Sequence, residues 1–211
     1  MRLSYRRPGR FRSSASVKTM TSDKKSIRAQ SLDARTRISP DERKAASMEV
    51  ARKLVQLIPE TAEIVAGYRA VRGEIDIFEA MAQLSERGHE LCLPVVVAPR
   101  KPLIFRRWHI GHPLEMGQLG IEIPPESEPV LLPDVILAPL AAFDAKGYRL
   151  GYGSGFYDIT IHHLRQLGKH VHIIGVGFSL QQVKTIPAED HDEKLDAVVT
   201  EKGVVIVARA T

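Results

Sequence analysis

Val135-Ile136-Leu137-Ala138-Pro139, followed after a short link by Arg149-Leu150-Gly151-Tyr152-Gly153-Ser154-Gly155-Phe156-Tyr157-Asp158, decides how the chain is read. The first run is continuously apolar and predicts a buried strand. The second alternates three glycines with larger residues, then opens a helix on an aromatic pair and an acid. Glycines let the backbone turn at positive φ and let a ligand approach bare N–H groups. A helix start adds free N–H groups and partial positive charge, which suits phosphate. Arg149 contributes a cation with a fork of donors at the entrance of the loop. This is not a Walker A loop, because no Gly-Lys-Ser/Thr follows the glycines. Nor is it the dinucleotide fingerprint, since Phe156 stands where the third glycine would be. Taken alone, the pattern leaves a tight turn that binds nothing as the alternative.

Outward from this loop, strands and helices alternate. Lys24-Lys25-Ser26-Ile27-Arg28 opens a helix to about Arg37, and Ser39-Pro40-Asp41-Glu42 caps a second that runs to about Leu57. Ile64 to Tyr68 reads as a strand, and residues 69–76 as a loop. Asp76 and Glu79 are spaced as a capping box for a helix that stops at Gly88. Residues 91–97 form the next strand, 102–108 a hairpin-like excursion, and 111–133 are mostly irregular. After the glycine loop come a helix to Leu167, a strand at 172–176 and two short strands at 197–199 and 204–207. The expected fold is α/β: a three-layer, largely parallel sheet with helices on both faces, Rossmann-like. In such sheets ligands sit beyond the carboxyl ends of strands, where the glycine loop and the 69–76 loop should lie.

The net charge of +5 misleads, because residues 1–20 carry six cations and no acid, which leaves the rest at −1. Residues 1–20 are therefore expected to be a disordered basic extension, and 21–211 a single domain. An organelle transit peptide is the alternative reading of that extension. Without a basic face there is no electrostatic case for nucleic acid. No apolar run reaches the roughly 18–20 residues of a membrane span, so no membrane is expected. Cys92 is the single cysteine, which fits a cytoplasmic protein and a small buried hydrophobe better than a nucleophile.

Local chemistry leaves several positions open. Lys24 and Arg28 share a helical face, which is also what a solvated basic face looks like. Asp158 could hold Mg²⁺ beside phosphates or simply favour the helix dipole. Glu189-Asp190-His191-Asp192 and Asp196 form an acidic stretch, as common in solvated loops as at metals. Glu74 could receive two parallel N–H bonds from an amino-pyrimidine or be a helix-start acid. No nucleophile elbow or zinc spacing is present.

These residues, with Pro139-Leu140-Ala141-Ala142-Phe143-Asp144, Gly73-Glu74-Ile75-Asp76, Leu93-Pro94-Val95-Val96, Gly175-Val176-Gly177-Phe178 and His191-Asp192, resemble the 5-formyltetrahydrofolate cyclo-ligase family. The match covers nearly all of the chain after residue 22, in order. The resemblance implies an ATP- and Mg²⁺-dependent ligase that forms a C–N bond and makes 5,10-methenyltetrahydrofolate from 5-formyltetrahydrofolate, polyglutamylated or not. It implies that the γ-phosphate activates the formyl oxygen, and that the protein acts as a monomer. By resemblance, Lys24, Arg28 and Arg149 to Tyr157 (Leu150, Gly151, Tyr152, Gly153, Ser154, Gly155 and Phe156 between them) hold ATP. Arg149 and Tyr157 carry the catalytic role, and Asp158 and Asp192 take Mg²⁺. Arg69, Glu74, Tyr152 and Phe156 face the folate. Independently of the resemblance, Leu103, Phe105 and Trp108 are expected as an apolar wall for the pterin, with core packing an equal reading for Leu103 and Phe105. Two departures stand out. Ser154 sits where members have lysine or glycine, and Ile159 and Ile161 where arginine and leucine are frequent. They keep a second reading open, a protein of this fold that binds nucleotide or reduced folate without turnover.

Overall fold

The computed structural model describes residues 14–207, with side chains from residue 23. In chain order the elements are α1 Ser14–Thr36, α2 Pro40–Leu57, β1 Ile64–Ala66, α3 Phe78–Glu86, β2 Glu90–Val95, β3 Ile104–Arg107, β4 Glu115–Met116, β5 Glu122–Ile123 and β6 Val130–Leu131. Then follow β7 Val135–Pro139, β8 Ala142–Phe143, β9 Arg149–Leu150, α4 Phe156–Gln166, β10 His172–Val176, β11 Ala197–Thr200 and β12 Gly203–Ile206. α1 begins at Ser14 rather than near Ser22, so the expected extension becomes helical within its span, and residues 1–13 lie outside the described residues. Among the described residues no helix is long and apolar enough to cross a membrane.

Eight strands form one sheet in the order β12-β11-β10-β7-β1-β2-β3-β6. β2, β1, β7, β10 and β11 run parallel, and antiparallel strands close both edges. The excursion at 104–107 is the expected hairpin partner of β2, with Leu93 opposite Arg106. Side-chain alternation explains the layers. Val65, Leu91, Leu93, Val135, Leu137 and Ile174 pack with α2 and α3 on one face. Their neighbours Ala66, Cys92, Ile136, Ala138 and Ile173 meet Ile161 and Leu164 of α4 on the other. A strand covered on both faces reads as a continuous apolar run, which is why 135–139 could be recognised.

The Ser39 capping box forms as expected: Glu42 N–H donates to the Ser39 hydroxyl, and the Glu42 carboxylate accepts from Ser39 N–H. The Asp76 box does not. Ile77 takes the cap position of α3 without a side-chain bond, and Asp76 instead accepts from Phe78 N–H at 2.9 Å. Two residues of separation favour this local turn over a cap three residues away.

Strand order reverses between β1 and β7: from β1 the chain moves to β2 on one side, and from β7 to β10 and β11 on the other. The carboxyl ends of β1 and β7 therefore open a crevice at the centre of the sheet, the place where open α/β sheets bind ligands.

Candidate active site

The crevice is a cavity of about 890 Å³. Its walls come from the loop after β1, the glycine loop after β9, α1, and residues 189–193. The small β8–β9 hairpin lifts the glycine loop over the crevice. It is fixed from below by Asp144, fully buried, which accepts from the N–H groups of Lys146, Tyr148 and Ile186. Asp144 therefore serves the turn rather than the cavity. Gln181 supports the same segment by donating to the carbonyls of Leu140 and Ala141.

Within the glycine loop, Gly153 and Gly155 lie at φ +106° and +69°, where a side chain is strained. Gly155 caps α4 without any side-chain bond, so its N-terminal end faces the cavity uncapped. Arg28 donates from Nε to Gly151 O at 2.7 Å and lies beside Gly153. Lys24 Nζ reaches Asp192 at 2.6 Å and Glu189 at 2.7 Å. Burial works against the Lys24 ammonium, but the two carboxylates outweigh it and its pKa ends above the ordinary value. Lys24 and Arg28 are thus brought to one site, not spread over a solvated face.

Arg149 differs from the open fork expected of it. It is 8% exposed, and its guanidinium donates to Glu193 O at 2.8 Å and Asp158 Oδ1 at 3.0 Å. It braces the end of β9 against residues 189–193, because a buried guanidinium must find acceptors. Asp158 Oδ1 also accepts from Glu193 N–H, and Asp192 Oδ2 takes both Lys24 and Glu189 N–H. Among the described residues no hydrogen bond reaches Asp158 Oδ2 or Asp192 Oδ1, so each carboxylate keeps one open oxygen beside the cavity. Glu189, His191 and Asp192 each place a ligand atom within 4.8 Å of the others. Ser154 is exposed and lines the cavity.

At the other end, Val71 to Glu74 form a tight turn closed by Glu74 N–H donating to Val71 O at 3.0 Å. Arg72 and Gly73 both lie at positive φ, +53° and +77°, the signature of a mirror-image turn. Glu74 is 6% exposed; it accepts from Val71 N–H at 2.9 Å and from the Tyr152 hydroxyl. Burial raises the pKa of Glu74, opposed by the Tyr152 and Val71 bonds and by Arg35 and Arg72. Burial, with Glu74 nearby, pushes the Tyr152 and Tyr157 phenols upward too. Tyr152 therefore joins the glycine loop to the 69–76 loop.

Arg69 lines the cavity and pairs with Glu122 at 2.8 Å. The expected apolar wall needs correction. Leu103 lines the cavity, but Phe105 is buried against the α4 face and Trp108 is 5% exposed in the α2–α3 core, edge-on to Phe78 at 6.3 Å. Leu103 and Phe105 share parity along β3, and Trp108 has the opposite parity, so it cannot join them. The wall is built instead by Pro94, Val96, Leu119, Ile121 and Ile123. Of these, the 119–123 residues come from the irregular stretch, whose sequence carries no periodic signal. Arg35 was also missed, although it stands seven residues after Arg28 and eleven after Lys24, on the same helical face.

The arrangement can hold an anionic chain at the cationic, glycine-rich end and a ring with N–H donors at Glu74, with apolar surface between. The sequence matches the family model of the 5-formyltetrahydrofolate cyclo-ligase family over residues 20–201. It is 31% identical to the 5-formyltetrahydrofolate cyclo-ligase of Escherichia coli K12 over 79% of this chain and 93% of that one. With the Haemophilus influenzae enzyme of the same name, identity is 30% over 83% of this chain and 96% of the relative. The structure of Aquifex aeolicus 5,10-methenyltetrahydrofolate synthetase superposes with a TM-score of 0.73 at 30% identity, covering 89% of this chain and 94% of that one. That of the Mycoplasma pneumoniae synthetase gives 0.65 at 25%, covering 85% and 99%.

Proposed function

The chain belongs to the 5-formyltetrahydrofolate cyclo-ligase family, and from that premise we propose that it converts 5-formyltetrahydrofolate and ATP to 5,10-methenyltetrahydrofolate, ADP and phosphate. The observation that carries this reading is the two-ended cavity. Lys24, Arg28 and the glycine loop gather at one end, and the buried Glu74 lies at the other.

Ring closure requires N10 to attack the formyl carbon and the formyl oxygen to leave. An amide oxygen is a very poor leaving group. Transfer of the γ-phosphoryl group of ATP onto that oxygen lets it depart as phosphate after N10 attacks, while N10 gives up its proton. Little covalent chemistry falls to the protein, whose work is positioning and charge stabilisation. The N–H groups at the start of α4 and of Gly153 to Gly155 would receive phosphate oxygens. Lys24 and Arg28 would neutralise them, and Ser154 offers a hydroxyl where other members carry lysine or glycine. Glu74 would accept from the amino-pyrimidine edge of the pterin, aligned by Tyr152, with Phe156 and Leu103 against the rings. Tyr157, whose phenol feels the charges of Glu74 and Arg149, would face the reacting groups.

The oxygen-only donors left open on Asp158 and Asp192 suit a hard cation. These two would hold Mg²⁺, whose chemistry when bound is to neutralise charge on the phosphates. Asp158 and Asp192 are set for this by Arg149 and Lys24, which each engage one carboxylate oxygen. On the same reading the protein works as a monomer in the cytoplasm, with or without glutamates on the folate.

Oxygen labelling tests the route. With ¹⁸O in the formyl group, one labelled oxygen should appear in the phosphate released. Unlabelled phosphate would exclude phosphorylation of the formyl oxygen.

A further inference from the structure

We infer that Arg35 is a positioning residue for the folate half of the site, holding the Glu74 turn and the Tyr152 ring in one arrangement from the far end of α1. This rests on the reading of Glu74 as the folate carboxylate.

Arg35 is 2% exposed, an unusual place for a guanidinium. Its NH2 donates to Arg72 O at 2.9 Å, the carbonyl of the left-handed residue in the Glu74 turn. Its Cζ lies 5.6 Å from the centroid of the Tyr152 ring, and the Cζ of Arg72 lies 5.5 Å from the same centroid. The tyrosine is thus flanked by two cations while its hydroxyl bonds Glu74. Other contacts also fix the turn: Tyr68 donates to Ile75 O, Asp76 N–H donates to Ser47, and Arg43 packs under Gly73. None of these hydrogen bonds runs to the glycine loop. Arg35 contacts both loops, and α1 also carries Lys24 and Arg28 on the same face. One helix therefore sets both ends of the cavity.

The charge matters as well as the shape. Glu74 faces Tyr152, Tyr68, Tyr157, Arg35 and Arg72. The arginines favour its ionised form, against burial. An ionised Glu74 is the form that accepts two N–H bonds, so folate affinity should fall as pH drops through its pKa. Removing Arg35 takes away one of the two cations, so that acidic limb should move to higher pH.

The test compares wild type with Arg35→Met, Arg35→Lys and Glu74→Gln. For each, 5-formyltetrahydrofolate and ATP are titrated separately by calorimetry across pH, with thermal melts and KM values alongside. Arg35→Met should weaken folate tenfold or more, leave ATP within about twofold, and shift the acidic limb upward. Arg35→Lys keeps the charge but not the planar fork. It should leave the limb in place while folate binding stays several-fold weak. Unchanged folate affinity in Arg35→Met, or equal losses for both ligands, would overturn the inference. If that variant does not fold, Arg35→Lys decides, and wild-type folate affinity there overturns it. Glu74→Gln separates the premises. If it binds folate normally, the pocket itself is misplaced; if it fails while both Arg35 variants bind normally, only the role of Arg35 falls.

Discussion

At the end of the cavity formed by α1 and residues 189–193, charge is held by side chains that meet water. Lys24 sits between Glu189 and Asp192, whose side chains are 29% and 16% exposed. At the end formed by residues 69–76, a single carboxylate is buried, and its partners are a backbone N–H and a tyrosine. The first arrangement can exchange carboxylate partners for phosphate oxygens one at a time, because partly solvated ion pairs are individually weak. The second cannot be rearranged without leaving a buried group unpaired. On the proposed assignment, nucleotide recognition would be built from exchangeable contacts and folate recognition from a fixed one. That contrast can be broken experimentally.

The largest effect should come from Glu74→Gln, which keeps shape and removes charge. It should weaken 5-formyltetrahydrofolate by roughly 2–5 kcal/mol, the usual loss when one partner of a buried charged contact is removed. ATP affinity should not change, and paired titrations check both. Next is Arg149→Ala, read in a thermal melt. Breaking a buried pair costs about 3–5 kcal/mol, and partial exposure of Asp158 places this case near about 3. For a chain of this size that is a fall of about 6–12 °C in Tm. A Tm within a degree of wild type would show that Arg149 is not the brace described above. Gly153→Val comes third. Strain at positive φ of about 1–3 kcal/mol, with a side chain placed toward Arg28, should reduce ATP binding and spare folate. Equal loss of both ligands would mean the two ends are one.

The smallest effect concerns pH. The pKa of Glu74 is raised in the folded state, so folding favours its protonated form. Its stabilising contribution is therefore complete below the ordinary carboxylate value and is lost as pH rises through the folded pKa. Glu74→Gln should accordingly melt no lower than wild type at neutral pH, and its relative stability should decline as pH falls through the raised folded pKa toward 4.5, below which it should change no further. Melts from pH 4 to 8 would show it, and a gain that grows on acidification would contradict the sign.

Much of this was legible in the chain because it rests on short-range rules. The run at 135–139 read as a buried strand because both its faces are covered, and Ser39 and Glu42 read as a cap because the box lies within one turn. The glycine loop declared itself through φ angles that few other residues adopt. What stayed hidden depends on distant neighbours. Tyr152 and Glu74 meet across 78 positions, and no local pattern pairs them. Trp108 looked like a ligand wall until strand parity placed it in the opposite core. Arg35 repeats the spacing of Lys24 and Arg28, yet only the packed helix tells which of its cations are buried. The β8–β9 hairpin has two residues per strand, too few for any alternation to appear.

The central claim is that one cavity brings ATP and 5-formyltetrahydrofolate together for ring closure. The direct measurement follows the absorbance of 5,10-methenyltetrahydrofolate after 5-formyltetrahydrofolate is mixed with the protein, with and without Mg-ATP. Product should accumulate only with Mg-ATP, in step with ADP. No product under any nucleotide condition, from protein that binds both ligands, would contradict the account and leave a binding protein of the same fold.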